Sequence, residues 1–210
     1  MSDRQLEEMC AVGKSLYTRG YAHGSTGNLS VRIDGRIFIT ATGGSLEHLR
    51  PEALAEVDPT GRSHNTNRPS KEAPLHLGLY RQRPRAHAIV HLHSPWSVAL
   101  SCLENMDPES PVPALTPYFF MRVAPLGIVP YHRPGGPLLG EAVEAAAPKH
   151  ACMLLRNHGL LCSGATLSEA LDRAEELEAT ARLHFMLRGE RARTLTPADI
   201  EELAVHFGKK

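Results

Sequence analysis

Residues 28–40, Asn28-Leu29-Ser30-Val31-Arg32-Ile33-Asp34-Gly35-Arg36-Ile37-Phe38-Ile39-Thr40, read as a β-hairpin. Leu29, Val31 and Ile33 alternate with polar residues, as in a half-buried strand, and Asp34-Gly35 is a strong two-residue turn. Residues 37–40 form the returning strand. Before the hairpin, Leu6, Met9, Gly13, Leu16 and Tyr17 share one helical face; Ser2 and Gln5 can form a capping box, and Gly20 is placed to end the helix. A third short strand, 54–58, runs into the turn Asp58-Pro59-Thr60-Gly61. The chain therefore begins as a helix followed by antiparallel sheet.

The remaining pattern adds helices and short strands. Residues 70–81 are helical in pattern, 88–91 form an apolar strand, and Ser94-Pro95 supply an N-cap and first position for a helix to 103. A Pro-rich loop covers 107–117. Strands are expected at 127–130, 151–155 and 160–162, with a helix at 139–147. Thr166 and Glu169 cap a long helix to about residue 187, with Leu167, Ala170, Leu171, Ala174, Leu177 and Ala181 inward. Thr196-Pro197 start a last helix. The class is α/β with antiparallel character, in a single domain over residues 1–210.

Lys+Arg and Asp+Glu balance at 23 each among 210 residues, so no global field attracts nucleic acid or an acidic membrane. An anionic ligand must be captured by a local site. The start MSDRQLEEMC lacks the apolar run of a signal peptide, and no apolar stretch approaches the roughly 18 residues of a membrane span. Cys10, Cys102, Cys152 and Cys162 form no CxxC pair and read as reduced core thiols, so a cytoplasmic protein is expected.

Twelve histidines are an excess for this length. His91-Leu92-His93 closes a strand, where side chains two apart point to the same side and both imidazoles can reach one ion. His158, in Arg156-Asn157-His158-Gly159, lies in a tight loop that can project it into a cleft. Three imidazoles with open positions suit catalytic Zn²⁺, with Mn²⁺ or another divalent ion as the alternative. The other nine histidines read as ordinary surface or core hydrogen-bonders. Glu72 admits two readings: a carboxylate that binds the metal and acts as acid or base, or a first-turn residue facing the helix dipole.

Three segments suit an anion. Gly24-Ser25-Thr26-Gly27-Asn28 and Thr42-Gly43-Gly44-Ser45 are rich in small residues whose backbone N–H groups can approach closely, and Ser70-Lys71 open a helix. None is a GxxxxGK[ST] loop, which argues against nucleotide binding.

Gly27-Asn28-Leu29-Ser30, Thr40-Ala41-Thr42-Gly43, Ser70-Lys71-Glu72, His91-Leu92-His93 and Arg156-Asn157-His158-Gly159 together resemble the ordered motifs of the class II aldolase/adducin family. The resemblance implies a three-layer α/β/α fold around a mostly antiparallel sheet, assembled as a homotetramer with sites at subunit interfaces. It also implies that His91, His93 and His158 bind Zn²⁺ or a similar ion with Glu72 as acid/base. Gly27, Asn28, Thr42, Gly43 and Ser70 would hold phosphate. Within the family, Pro69-Ser70-Lys71-Glu72, residues 88–94, residues 115–123 and Glu175-Glu176-Leu177-Glu178 look like the 3-oxo-tetronate 4-phosphate decarboxylases. Sugar-phosphate aldolases usually show Ser-Ser before the Glu. Lys71 adds a cation suited to a substrate bearing both carboxylate and phosphate.

The expected reaction is decarboxylation of a 3-oxo-tetronate 4-phosphate to dihydroxyacetone phosphate and CO₂ through an enediolate stabilised by the ion. Retro-aldol cleavage of a ketose 1-phosphate such as fuculose or rhamnulose 1-phosphate uses the same enediolate and stays open, as does a related epimerase. Lys71 either meets phosphate or orients the carboxylate. Tyr118 and Arg122 either reach a neighbouring subunit's site, with Tyr118 then a catalytic candidate, or pack ordinarily. A non-catalytic, adducin-like interaction domain would be expected to have lost metal ligands, and here all four are present.

Overall fold

A computed structural model of the chain describes residues 2–108 and 110–207. Helix α1 (Ser2–Thr18) buries Leu6, Met9 and Leu16. It stops where expected: the Gly20 N–H donates to the Tyr17 carbonyl at 3.0 Å and the Tyr21 N–H to Leu16 at 2.9 Å, which satisfies two orphan carbonyls. The capping box expected of Ser2 and Gln5 lies outside the described side chains.

The hairpin forms from β1 (Asn28–Ile33) and β2 (Arg36–Ile39), with Ile33 paired to Arg36 across Asp34 and Gly35, both at positive φ. Then follow β3 (Ala55–Val57), α2 (Ala73–Gln82), β4 (Ala88–Leu92), α3 (Pro95–Ser101), α4 (Pro117–Arg122), β5 (Leu126–Val129) and α5 (Pro137–Ala146). The chain continues through β6 (Cys152–Leu155), β7 (Gly159–Gly164), α6 (Leu167–Met186) and α7 (Pro197–Phe207). Among the described residues seven strands make one sheet, in the order β3-β2-β1-β4-β7-β6-β5, and only β5 and β6 pair in parallel.

Alternation along the strands divides the core in two. Leu29, Val31, Val90, Leu92, Leu154 and Leu160 pack with residues of α1, α3 and α6 on one face. Ile37, Ile89, Met153, Leu155 and Leu161 pack with α2 and α5 on the other. The result is a three-layer α/β/α fold. No helix among the described residues is long and apolar enough to cross a membrane.

Four expectations need correction. β1 is buried on both faces rather than one, because helices cover both sides of the central sheet. Ser70 and Lys71 precede α2 instead of opening it: Pro74 has no N–H to give the Ser70 carbonyl, which accepts from Ala73 in a turn at 2.9 Å. Ser94 occupies the N-cap of α3, but its hydroxyl donates to the Tyr21 carbonyl at 2.9 Å. The orphan N–H groups of Trp96 and Ser97 donate instead to the buried Glu178 carboxylate of α6, at 2.9 and 2.7 Å. Finally, Cys102 is exposed at the end of α3, whereas Cys10, Cys152 and Cys162 are buried; all four thiols are free.

Gly159 governs how closely β7 approaches β4. Its φ is +152°, and a Cβ there would fall 2.3 Å from the Leu92 carbonyl oxygen, a backbone atom that cannot move aside. Gly159→Ala is expected to cost about 2 kcal/mol of folding stability. Denaturant titration with an unchanged midpoint would show that this approach is not required.

Candidate metal centre and anion site

The site forms at one end of the sheet, on the side covered by α2 and α5. Asn28 at the start of β1 pairs with His91 near the end of β4, and His91 pairs with Leu161 of β7. His91 faces the same side as Ile89, and His93 follows two residues on. His158 arrives from the turn between β6 and β7, where Asn157 has a φ of +54°. Glu72 enters from the N-cap position of α2.

Four donor atoms of Glu72, His91, His93 and His158 all lie within 4.8 Å of one another. The three imidazole centroids are 4.7–4.9 Å apart and the rings meet edge to face, so they surround one point. His91 is wholly buried, and its Nδ1–H donates to the Leu160 carbonyl at 2.7 Å, which turns Nε2 toward the other donors. That Nε2 lies 3.0 Å from His93 Nε2 and 3.2 Å from Glu72 Oε2. His158 Nε2 is 2.9 Å from Glu72 Oε1, yet the angles make no hydrogen bond, and both atoms are buried without a partner. Buried polar atoms left in this state are costly. Three nitrogens and one carboxylate around them are a donor set that fits a divalent ion.

The charges are consistent with this crowding. Burial alone would raise the Glu72 carboxyl, but His91 and His158 against it outweigh that and hold it well below the usual carboxylate range. Burial, reinforced by His91 and His158, pushes His93 down to about 3. A neutral imidazole keeps its lone pair for an ion.

Ser70 and Lys71 adjoin Glu72 in the chain, and Gly27 adjoins Asn28. Ala41 and Pro69 form an antiparallel bridge, and the Ser70 N–H donates to the Thr40 carbonyl at 3.0 Å. Thr42 stands opposite Arg68, donating its N–H to the Arg68 carbonyl at 3.0 Å; Thr42 and Gly43 are exposed on that side of the bridge, and half-buried Ser70 and exposed Lys71 lie on the other. The loop after β5 closes against Lys71, because a Cβ on Gly135 would lie 3.3 Å from Lys71 Cβ and Cγ. Gly27 stands over the His91 carbonyl oxygen, 3.1 Å from where its Cβ would be. The Asn28 side chain is already committed: its Nδ2 donates to Glu72 Oε2 at 2.9 Å, and its Oδ1 is 2.6 Å from His76 Nε2.

Tyr118 and Arg122 are not brought to the four donors. Tyr118 is exposed on α4 with the Arg122 guanidinium over its ring at 5.6 Å. His76, read from the sequence as an ordinary hydrogen-bonder, is wholly buried and meets Asn28 and Ser30. It lies four positions after Glu72, a spacing that places both on one helical face.

The description "Class II Aldolase and Adducin N-terminal domain" matches residues 7–185. The chain belongs to the class II aldolase and adducin family. As a class II aldolase-type chain it is 44% identical over 200 residues, 95% of each chain, to 3-oxo-tetronate 4-phosphate decarboxylase of Haemophilus influenzae. The solved structure of YgbL from Klebsiella pneumoniae, provisionally assigned as an aldolase/epimerase/decarboxylase, superposes with a TM-score of 0.93. It is 43% identical, and the match covers 97% of this chain and 99% of that one. The L-fuculose phosphate aldolase of Methanocaldococcus jannaschii is more distant, 35% identical over 89% of this chain and 97% of its own. The family depends on a divalent metal.

His93 is the half-buried member of the donor set and so the least disruptive to remove. His93→Ala is expected to stay folded and to weaken Zn²⁺ binding by more than about 100-fold, beyond what losing an outer-shell partner costs. Equilibrium dialysis with metal quantification checks this. An unchanged affinity in a folded variant would remove His93 from the ligand set.

Proposed function

We propose that this chain is a metal-dependent carboxy-lyase that converts a 3-oxo-tetronate 4-phosphate into dihydroxyacetone phosphate and CO₂. The observation that carries the reading is Glu72, a buried carboxylate held against imidazoles with one oxygen bonded to nothing. The decarboxylase relative, matched over 95% of both chains, supports the substrate.

His91, His93, His158 and Glu72 would hold the ion, and Zn²⁺ suits three nitrogens and one oxygen. When bound, the ion supplies Lewis acidity that stabilises negative charge developing on the substrate. The C1–C2 bond breaks, CO₂ leaves, and the bond's electron pair stays at C2, conjugated with the C3 carbonyl. C2 then gains a proton. Glu72, turned away from the ion and its imidazoles when substrate binds, would take up a proton from solvent and deliver it at C2, since each turnover consumes one proton. Oε1, the oxygen without a hydrogen bond, is the one free for this transfer.

Gly27 and Gly43 would meet the phosphate with backbone N–H groups and Thr42 and Ser70 with their hydroxyls, because the Thr42 and Ser70 N–H groups already donate to Arg68 and Thr40, with Asn28 contributing through its backbone. Lys71, exposed beside Ser70, adds positive charge without approaching the bond that breaks. A cation bound tightly to the departing carboxylate would favour the ground state and slow the reaction.

A homotetramer with sites at subunit interfaces belongs to this reading, as does a single domain over the whole chain. Tyr118 and Arg122 would then serve a neighbouring site, which their exposure on α4 supports. Trp96, Met186 and Leu187 expose further apolar surface suited to subunit contact.

The test is release of CO₂ and dihydroxyacetone phosphate from 3-oxo-tetronate 4-phosphate, before and after chelation and Zn²⁺ return. Metal-dependent release of both is expected. No CO₂ from metal-loaded enzyme, with cleavage of a ketose 1-phosphate instead, would replace this reading with the aldolase one. Glu72→Gln is expected to lower kcat by at least about 100-fold while phosphate-ligand binding persists. Normal turnover would exclude Glu72 as the acid.

A further inference from the structure

Beneath Glu72 a file of polar side chains crosses the otherwise apolar layer between the sheet and α2. Glu72 Oε2 accepts from Asn28 Nδ2 at 2.9 Å, and Asn28 Oδ1 lies 2.6 Å from His76 Nε2. His76 Nδ1 lies 2.7 Å from Ser30 Oγ, and Ser30 Oγ lies 2.9 Å from the Tyr80 hydroxyl. Ser30 and His76 are wholly buried, and Asn28 and Tyr80 nearly so. Their neighbours include Leu75, Leu79 and Ile89, so nothing about packing alone calls for polar groups here.

The direction of every bond follows from the carboxylate end. Asn28 Nδ2 donates to Glu72 Oε2, which turns the amide oxygen to His76. His76 Nε2 must then carry a proton. Burial, with His91 nearby, keeps the ring neutral down to about pH 3, so Nδ1 is a lone pair and Ser30 must donate to it. The Ser30 oxygen is left to accept from Tyr80. Four donors serve four acceptors with no freedom to reverse any of them.

We propose that His76 is a positioning residue for Glu72, acting through this one-way relay from Tyr80 through Ser30, His76 and Asn28. The inference rests on Glu72 as the acid–base group. His76 pins the Asn28 carboxamide, Asn28 pins Oε2, and Oε1 alone stays free to carry the proton. Without the His76 N–H, the Asn28 oxygen loses its donor, and the amide can rotate away from Glu72. The reacting carboxylate then samples several orientations, which lowers the rate of proton delivery more than the binding of substrate.

Two variants and one spectroscopic measurement test this. His76→Leu fills the space without a donor; it is expected to lower kcat about 10–100-fold with KM within about two-fold of wild type. His76→Gln restores an N–H toward Asn28 and is expected to recover most of the lost kcat. Nitrogen NMR of isotope-labelled histidine in the full-length protein, assigned by the signal missing from His76→Gln, should show His76 protonated at Nε2 and bare at Nδ1. A folded His76→Leu with wild-type kcat would overturn the proposal, as would a Gln variant no better than Leu, or a proton on Nδ1. If His76→Leu does not fold, the Gln variant and the tautomer decide. Wild-type enzyme that releases no CO₂ would sink the functional reading, whereas the tautomer tests the relay independently of any reaction.

Discussion

Glu72 Oε1 and His158 Nε2 face each other at 2.9 Å, buried and without a hydrogen bond, while His91 Nε2 stands 3.2 Å from the other carboxylate oxygen. Taking a carboxylate out of water costs several kcal/mol even after the protein relaxes. A fold keeps such a cluster only where something offsets the cost. Neutral imidazoles, a tautomer fixed by the Leu160 carbonyl and an ionised carboxylate are the state in which these groups coordinate a divalent ion.

The antiparallel sheet is what collects the donors. β1 begins, β4 ends and β7 begins at the same edge, so Asn28, His91 and the turn carrying His158 meet although they are far apart in the chain. Gly159 lets that turn press against the Leu92 carbonyl, and the start of α2 delivers Glu72 from the covering layer. The anion loops lie at the same edge because the bridge between Ala41 and Pro69 ties the end of β2 to the turn before α2. One end of the sheet thus gathers the metal donors.

Much of this was legible in local sequence, where short-range geometry decides the outcome. The i, i+2 spacing of His91 and His93 forces them to one side of a strand, and Asp34-Gly35 forces the hairpin. What could not be read were contacts made by distant segments. Ser94 looked like the cap of α3, but Glu178 on α6 satisfies those N–H groups. Asn28 looked like part of an anion loop, yet its side chain is spoken for by Glu72 and His76, 44 and 48 residues away. His76 resembled any core histidine, because its role depends on which strand residue it meets. Pro74 did carry a local signal, and its missing N–H explains why Ser70 and Lys71 stay outside α2.

The most direct test of the account is where an ion binds. Crystals of the Zn²⁺-loaded protein, with diffraction data collected on either side of the zinc absorption edge, would locate it. The account predicts one strong anomalous peak per chain, about 2.0–2.1 Å from the Nε2 atoms of His91, His93 and His158. Glu72 would lie either at coordination distance or turned aside by a bound ligand. No peak there in zinc-loaded crystals, or a peak held by other residues, would contradict it.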